Sequence, residues 1–168
     1  MVERSGEKCF KVERNHHFHI NFLERRHVMF GGEYRHNKDS KNRVFMPAKL
    51  REELGETFVI AKDIREKCLK VYSLAGWEEY IAPLKAQNRK LSEKILRFLH
   101  ASLTQVTPDS QGRVVIPQEL VEYAAIERSI VVVGCGEYAE IWSESTYDEN
   151  KAQIDVSELI DELEELGL

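Results

Sequence analysis

An aspartate stands four residues before an arginine at two places in this chain, Asp39 before Arg43 and Asp109 before Arg113. Across a tight turn, a carboxylate at that spacing meets the guanidinium fork and braces the loop. The same planar, permanently charged group also suits a phosphate or the edge of a guanine. The surroundings of the two pairs differ. Around the first lie Arg35, His36, Lys38, Lys41, Lys49 and Arg51, whereas "PDSQGRVV" around the second offers only Arg113. A polyanion rewards a concentration of cations by releasing its counterions, and a two-stranded ribbon fits the major groove of a duplex. The chemistry on offer is recognition of a nucleic acid by a basic turn.

These residues sit in an internal repeat. "DSKNRVFMPAKLRE" and "DSQGRVVIPQELVE", seventy positions apart, agree at seven of fourteen places. Average usage predicts roughly one agreement by chance. Each copy places strand candidates on either side of the turn, "GGEYRHN" and "RVFM" in the first. Asp39 and Asp109 are turn-fixing residues, and Asn42 and Gly112 occupy the position that needs a left-handed backbone. Pro47 and Pro117 mark helix starts at the first helical position, and Gly55 a helix stop. The strand pairs "TFVIA" and "LKVYS", then "IVVVG" and "AEIWS", follow. A unit reading strand, strand, helix, strand, strand is too small to bury much surface alone. Two such units are expected to share one barrel-like core as an intramolecular pseudo-dimer.

Other segments serve or flank the repeats. Leu91, Ile95, Phe98 and Leu99 fall on one helical face, expected to pack on the barrel. Val156, Leu159, Ile160 and Leu163 form a second stripe, with Asp155 and Glu158 as its cap and capping partner. The opposite face is acidic, and that helix either docks on a neighbour or stays solvated. The organisation expected is an extension over 1–28, a first repeat over 33–76, a helical connector over 77–103, a second repeat over 104–147 and an acidic helical tail over 148–168. Codons for Glu24 to Arg26 can hold a ribosome-binding sequence two codons before Met29, so translation is expected to start at Met29.

Composition excludes several classes. With 42% hydrophobic and 32% charged residues, the chain is a globular one rather than disordered. No apolar run approaches the roughly 20 residues of a membrane span, and the N-terminus lacks a signal core, so a cytoplasmic place is expected. The net charge of −5 reflects the six acids and no base from Asp155 onward; without them the balance is +1. Cys9, Cys68 and Cys135 form no C-x-x-C pair, and Cys9 with His16, His17, His19 and His27 matches no standard zinc spacing, so no metal or cofactor is expected. "GCGEYA" at Gly134 to Ala139 fits a dinucleotide fingerprint only if a helix follows, and the strand-like "YAEIW" follows instead. With no phosphate-binding loop, zinc-protease helix or nucleophile motif, the protein is not expected to be an enzyme.

The doubled "D-S-x-x-R-V-x-x-P" motif, the opening "MFGGEY", the intervening amphipathic helix and the ending "IWS" resemble the MraZ family of bacterial transcription regulators with tandem SpoVT-AbrB-type domains. The resemblance runs from about Met29 to Lys151. It implies an α+β, mainly β fold: a double-split β-barrel of two tandem swapped-hairpin repeats with connecting and C-terminal helices. It implies a homo-oligomeric ring of about eight or more subunits, bound to short direct repeats of double-stranded DNA in the promoter of the division and cell-wall gene cluster, in the nucleoid. The family's DNA-contacting arginine falls at Arg43, with Lys41 in the same turn. Arg35, Lys38 and Lys41 are then expected on phosphates, with Arg43 reading a guanine or fixing the loop and Arg113 as a further candidate. Asn42 departs from the family's usual glycine. The competing reading is an antitoxin-like or scaffolding module that acts through its acidic C-terminal helix.

Overall fold

The computed structural model describes residues 29–87 and 89–167. The expectations for 1–28, including the Cys9 and histidine cluster, lie outside the described residues.

Each repeat contributes four strands, and the two halves are exchanged. The first holds β1 (Glu33–Asn37), β2 (Arg43–Phe45), helix α1 (Ala48–Leu54), β3 (Phe58–Lys62) and β4 (Leu69–Ser73). The helices α2 (Leu74–Ala86) and α3 (Arg89–Ser102) lead to β5 (Thr104–Val106), β6 (Arg113–Val115), α4 (Gln118–Tyr123), β7 (Ser129–Gly134) and β8 (Ala139–Ser143). The chain ends with α5 (Glu144–Ala152) and α6 (Val156–Glu165). One antiparallel sheet runs β1-β7-β8-β4-β3-β5, and β2 pairs with β6 in a separate ribbon. The order is a palindrome of equivalents, with its centre between β8 and β4. Each repeat's first strand therefore completes the sheet of the other, and neither half is whole alone.

The expected hairpin across the basic turn is corrected by this pairing. β1 and β2 flank the turn, but β1 pairs with β7 and β2 with β6. Three residues of β2 are too few to bury a face by themselves, and joining the equivalent strand satisfies both backbones. Among the described residues no ladder joins β1 to β5 or the ribbon to the sheet, so hydrogen bonding closes no continuous barrel there.

Alternation along the ribbon places the core. Val44, Met46, Val114 and Ile116 are buried, together with Leu50 and Leu54 of α1, Leu120 and Val121 of α4, and Phe58, Ile60, Leu69, Val71, Ile130, Val132 and Ile141 on one face of the sheet. The other face of β3 and β4 is covered by the connector: Val59, Ala61 and Tyr72 pack with Trp77, Ile81 and Leu99. The connector is two helices rather than one, because Ser73 caps a helix directly after β4 by accepting from the Gly76 N–H at 3.0 Å. α3 turns its Leu99 side inward and leaves Ile95 and Phe98 exposed, so the expected four-residue stripe is only partly packed. Pro47 and Pro117 sit at the N-cap, one residue before the expected position.

The glycines of the β7–β8 turn have a packing role. Phe30 and Gly136 exchange backbone hydrogen bonds at 2.8 and 2.9 Å, and the Gly134 N–H donates to the Gly32 carbonyl at 2.9 Å. A Cβ on Gly134 would stand 2.4 Å from the Gly31 nitrogen, which is backbone and cannot swing aside. β8 follows the turn, with no helix to receive a pyrophosphate. Gly134→Ala is expected to destabilise the fold by about 2 kcal/mol or more, as overpacking does. Gly31→Ala, whose added methyl meets nothing within 4 Å, is expected to change stability by less than about 0.5 kcal/mol. Urea midpoints of the two variants check this.

Candidate nucleic-acid interface

Both turns are closed by the same set of bonds. Asp39 Oδ1 accepts from the backbone N–H groups of Lys41 and Arg43, each at 2.9 Å. Asp109 Oδ1 accepts from those of Gln111 and Arg113, also at 2.9 Å. Asn42 and Gly112 have φ of 55° and 76°, as the turn requires. The turns are also locked to each other: the Met46 N–H donates to the Gly112 carbonyl and the Ile116 N–H to the Asn42 carbonyl, both at 2.9 Å. They lie at opposite ends of the ribbon, since Arg43 is opposite Val115 and Phe45 opposite Arg113. Position 112 has a second reason to be glycine, because the Arg51 guanidinium lies 2.9 Å from where its Cβ would be.

The two arginines are used differently. Arg113 gives Asp109 both Nε and Nη2, at 2.9 and 2.8 Å. Arg43 gives Asp39 only Nε, at 2.6 Å, and among the described residues its two terminal nitrogens have no protein partner. Arg43 can therefore brace its turn through one edge and offer the parallel N–H pair of the other to a guanine or a phosphate. Lys38 Nζ donates to Asn42 Oδ1 at 2.9 Å, and the Asn42 amide donates to Gln118 of the other repeat at 2.8 Å. The asparagine thus fixes the turn with a side chain that glycine lacks. Lys41 is exposed, and its ammonium makes no ion pair among the described residues.

Arg35 stands apart. Its guanidinium is taken by Glu33 at 3.0 Å, Glu144 at 2.8 Å and Asp148 at 2.7 Å, which ties β1 to α5. Asp148, then Glu144 and Glu33, raise its pKa far above the ordinary value. All three nitrogens of this member of the expected phosphate set are occupied within the chain. Two residues outside that set share the outward face of the ribbon: Phe45 and Val115, 38% and 56% exposed. His36 meets the Phe45 ring edge-on at 5.2 Å. Alternation along "RVFM" and "RVVI" marks Phe45 and Val115 as outward once each Val44 or Val114 is placed inward. Beside the second turn the groove contains Glu52 and Glu56, so that end is less suited to a polyanion.

The bracing is also an acid-resistance feature. The Asp39 carboxyl is held down to about 2, chiefly by the Arg43 N–H, then by the Arg43 side chain and the Lys41 N–H, against the cost of burial. Asp109 is likewise held at about 2, with the Arg113 side chain foremost. A carboxyl with a lower pKa when folded stabilises the fold above its unfolded value, and that contribution is lost as pH falls through the folded one. Each turn should thus hold above its aspartate's ordinary 3.8 and loosen toward 2. Carboxyl NMR titration is expected to place both midpoints near 2. Arg113→Ala should raise the Asp109 midpoint more than Arg43→Ala raises that of Asp39, because the arginine side chain is foremost in lowering Asp109 whereas a backbone N–H is foremost at Asp39.

The family model for MraZ protein, whose description adds an antitoxin-like character, matches residues 29–99 and again 98–166. This chain belongs to the MraZ family. Proteins named Transcriptional regulator MraZ from Clostridium tetani and Thermoanaerobacter sp. are each 40% identical over 144 residues, covering 83% of this chain and all of theirs. One from Clostridium botulinum (strain Eklund 17B) is 41% identical over the same span. The two MraZ matches divide the chain within α3, in keeping with the palindromic sheet. No described helix is long and apolar enough to cross a membrane.

Proposed function

We propose that this chain is a sequence-specific regulator of transcription that binds double-stranded promoter DNA through the first turn and the outward face of the β2–β6 ribbon. The observation that carries the reading is the Arg43 guanidinium, held by one nitrogen and, among the described residues, free at the other two, beside Lys41, which makes no ion pair among them. In this mechanism Asp39 orients Arg43 toward a guanine edge or a phosphate. Lys41 and the outward hydrogens of Lys38 hold adjacent phosphates, and Phe45 and Val115 lie against apolar base edges such as thymine methyls. Arg113, gripped at two nitrogens, fixes the second turn and leaves one nitrogen for a phosphate. The names of the relatives support the regulatory role. The target follows from the family resemblance: short direct repeats upstream of the division and cell-wall genes, with the protein working in the cytoplasm on the nucleoid.

The functional unit in this reading is a closed homo-oligomeric ring with the strands arranged as a double-split barrel, and its closure sums weak contacts through effective concentration. α6 supports it. Val156, Leu159, Ile160 and Leu163 are all exposed along a helix that buries no residue against the described part of the chain. The exposed Ile95 and Phe98 of α3, flanked by Lys94 and Arg97, offer an apolar and basic counterpart on a second copy. Fluorescence anisotropy with duplex from upstream of the protein's own gene, against a shuffled duplex over a salt series, tests the function. Preference for the native duplex that falls steeply with salt is expected. Equal weak binding to both would overturn it and favour the protein-interaction reading.

A further inference from the structure

At the centre of the large sheet, where β4 of one repeat meets β8 of the other, three metal-ligating side chains converge on the face away from the main core. Asp63 and Cys68 come from the first repeat, at the two ends of the β3–β4 loop, and Glu140 from the second. One ligand atom from each lies within 4.8 Å of the other two. Around a tetrahedral divalent ion such atoms stand about 3.3–3.8 Å apart, so small side-chain rotations would close the set. Asp63 and Cys68 are 5% and 0% exposed, and the Cys68 thiol points at Asp63 Oδ2 from 3.9 Å.

A second observation lies on the same face. The Tyr72 hydroxyl, two residues beyond Lys70 on β4, is buried and has no hydrogen-bond partner among the described residues. Its ring lies 5.4 Å from that of Tyr138, two residues before Glu140, and Lys70 Nζ stands 4.4 Å from the centre of the same Tyr138 ring. A water completing the coordination of an ion would supply the missing partner. Lys70, whose Nζ is 3.6 Å from Asp63, completes the charge balance. A divalent ion with two carboxylates and one thiolate carries −1, and the ammonium offsets it.

We propose that Asp63, Cys68 and Glu140 bind a borderline-soft divalent cation of the zinc class, with water in the fourth place. The ion displaces the Cys68 proton to solvent and fastens the first repeat to the second across the β4–β8 seam. The site is remote from both turns in sequence and independent of DNA reading, so its assay contains no DNA.

The test uses the full chain as the Cys9→Ser/Cys135→Ser variant, in which Cys68 is the one remaining thiol. Titration with Co²⁺ alone is expected to give a thiolate charge-transfer band that saturates at one equivalent and is displaced by Zn²⁺. Glu140→Gln and Asp63→Asn should each weaken Zn²⁺ binding at least about tenfold in competition with a chromophoric chelator. Zn²⁺ should raise the thermal midpoint of the thiol-bearing chain and not that of Cys68→Ala. Circular dichroism and cooperative melting without metal establish that each variant is folded. Absence of the band in the folded single-thiol chain overturns the proposal, and so does unchanged Zn²⁺ affinity in both carboxylate variants.

Discussion

Arg43→Ala is expected to weaken binding of the native promoter duplex about 100-fold or more, with much less loss on the shuffled one. A bidentate contact to guanine discriminates by about 1–3 kcal/mol, and a ring applies the loss at each repeat it occupies, so even tenfold per subunit compounds. Removing the guanidinium also frees Asp39 Oδ2, now neutralised at 2.6 Å, to face the phosphates as an unpaired negative charge. Arg113→Ala should cost no more than about tenfold, because two of the three Arg113 nitrogens are already spent on Asp109.

Arg43→Lys separates the two uses of the side chain. Lysine keeps the charge but lacks the rigid fork that can hold Asp39 and a base together. If Arg43 reads a guanine, the lysine variant should retain salt-dependent binding while losing preference for the native sequence. If it holds only a phosphate, affinity and preference should both recover to within a few-fold. Lys41→Ala is the comparison for a pure phosphate contact, with uniform weakening across sequences and a salt slope reduced by about 1 per subunit engaged. Equal affinity of wild type and Arg43→Ala for the native duplex would remove the first turn from the interface.

The parts of this arrangement that were legible in the sequence are those set by local chemistry. The doubled aspartate-arginine spacing led to the two braced turns, and the residue types at 42 and 112 led to their positive φ. The strands fell where the repeat put them. Pairing was not legible in the residues themselves, because β1 and β2 are equally compatible with a hairpin and with exchange, and swapped hairpins were implied only by the family resemblance; the choice is made by the far repeat, through bonds such as Met46 to Gly112. The ion pairs of Arg35 were hidden for the same reason. One of its carboxylates, Glu33, stands two residues away, but Glu144 and Asp148, which tie it to α5, lie more than a hundred residues away. The Asp63, Cys68 and Glu140 cluster was invisible because strand pairing alone brings its members together.

If the proposed ring forms through α6, replacing Leu159 and Ile160 together with glutamate is expected to break it into small species by light scattering, and to lower affinity for a multi-repeat promoter by about 100-fold or more. The two side chains are 45% and 51% exposed, and nothing among the described residues of the single chain covers them. Burying each on a neighbour is worth about 1.5–3 kcal/mol, and the acids that flank them would face the Lys94 and Arg97 side of α3. Affinity for a duplex with one repeat should hardly change, since the first turn of each subunit is untouched by the substitution. Truncation after Ala152 should give the same two results, which separates loss of the helix from repulsion by the new charges. Ile95→Glu/Phe98→Glu on α3 is the reciprocal experiment, because a head-to-tail contact fails when either side is altered. Were the truncated chain to keep both its mass and its promoter affinity, α6 would be free of the ring, and its acidic, apolar surface would belong to a protein partner.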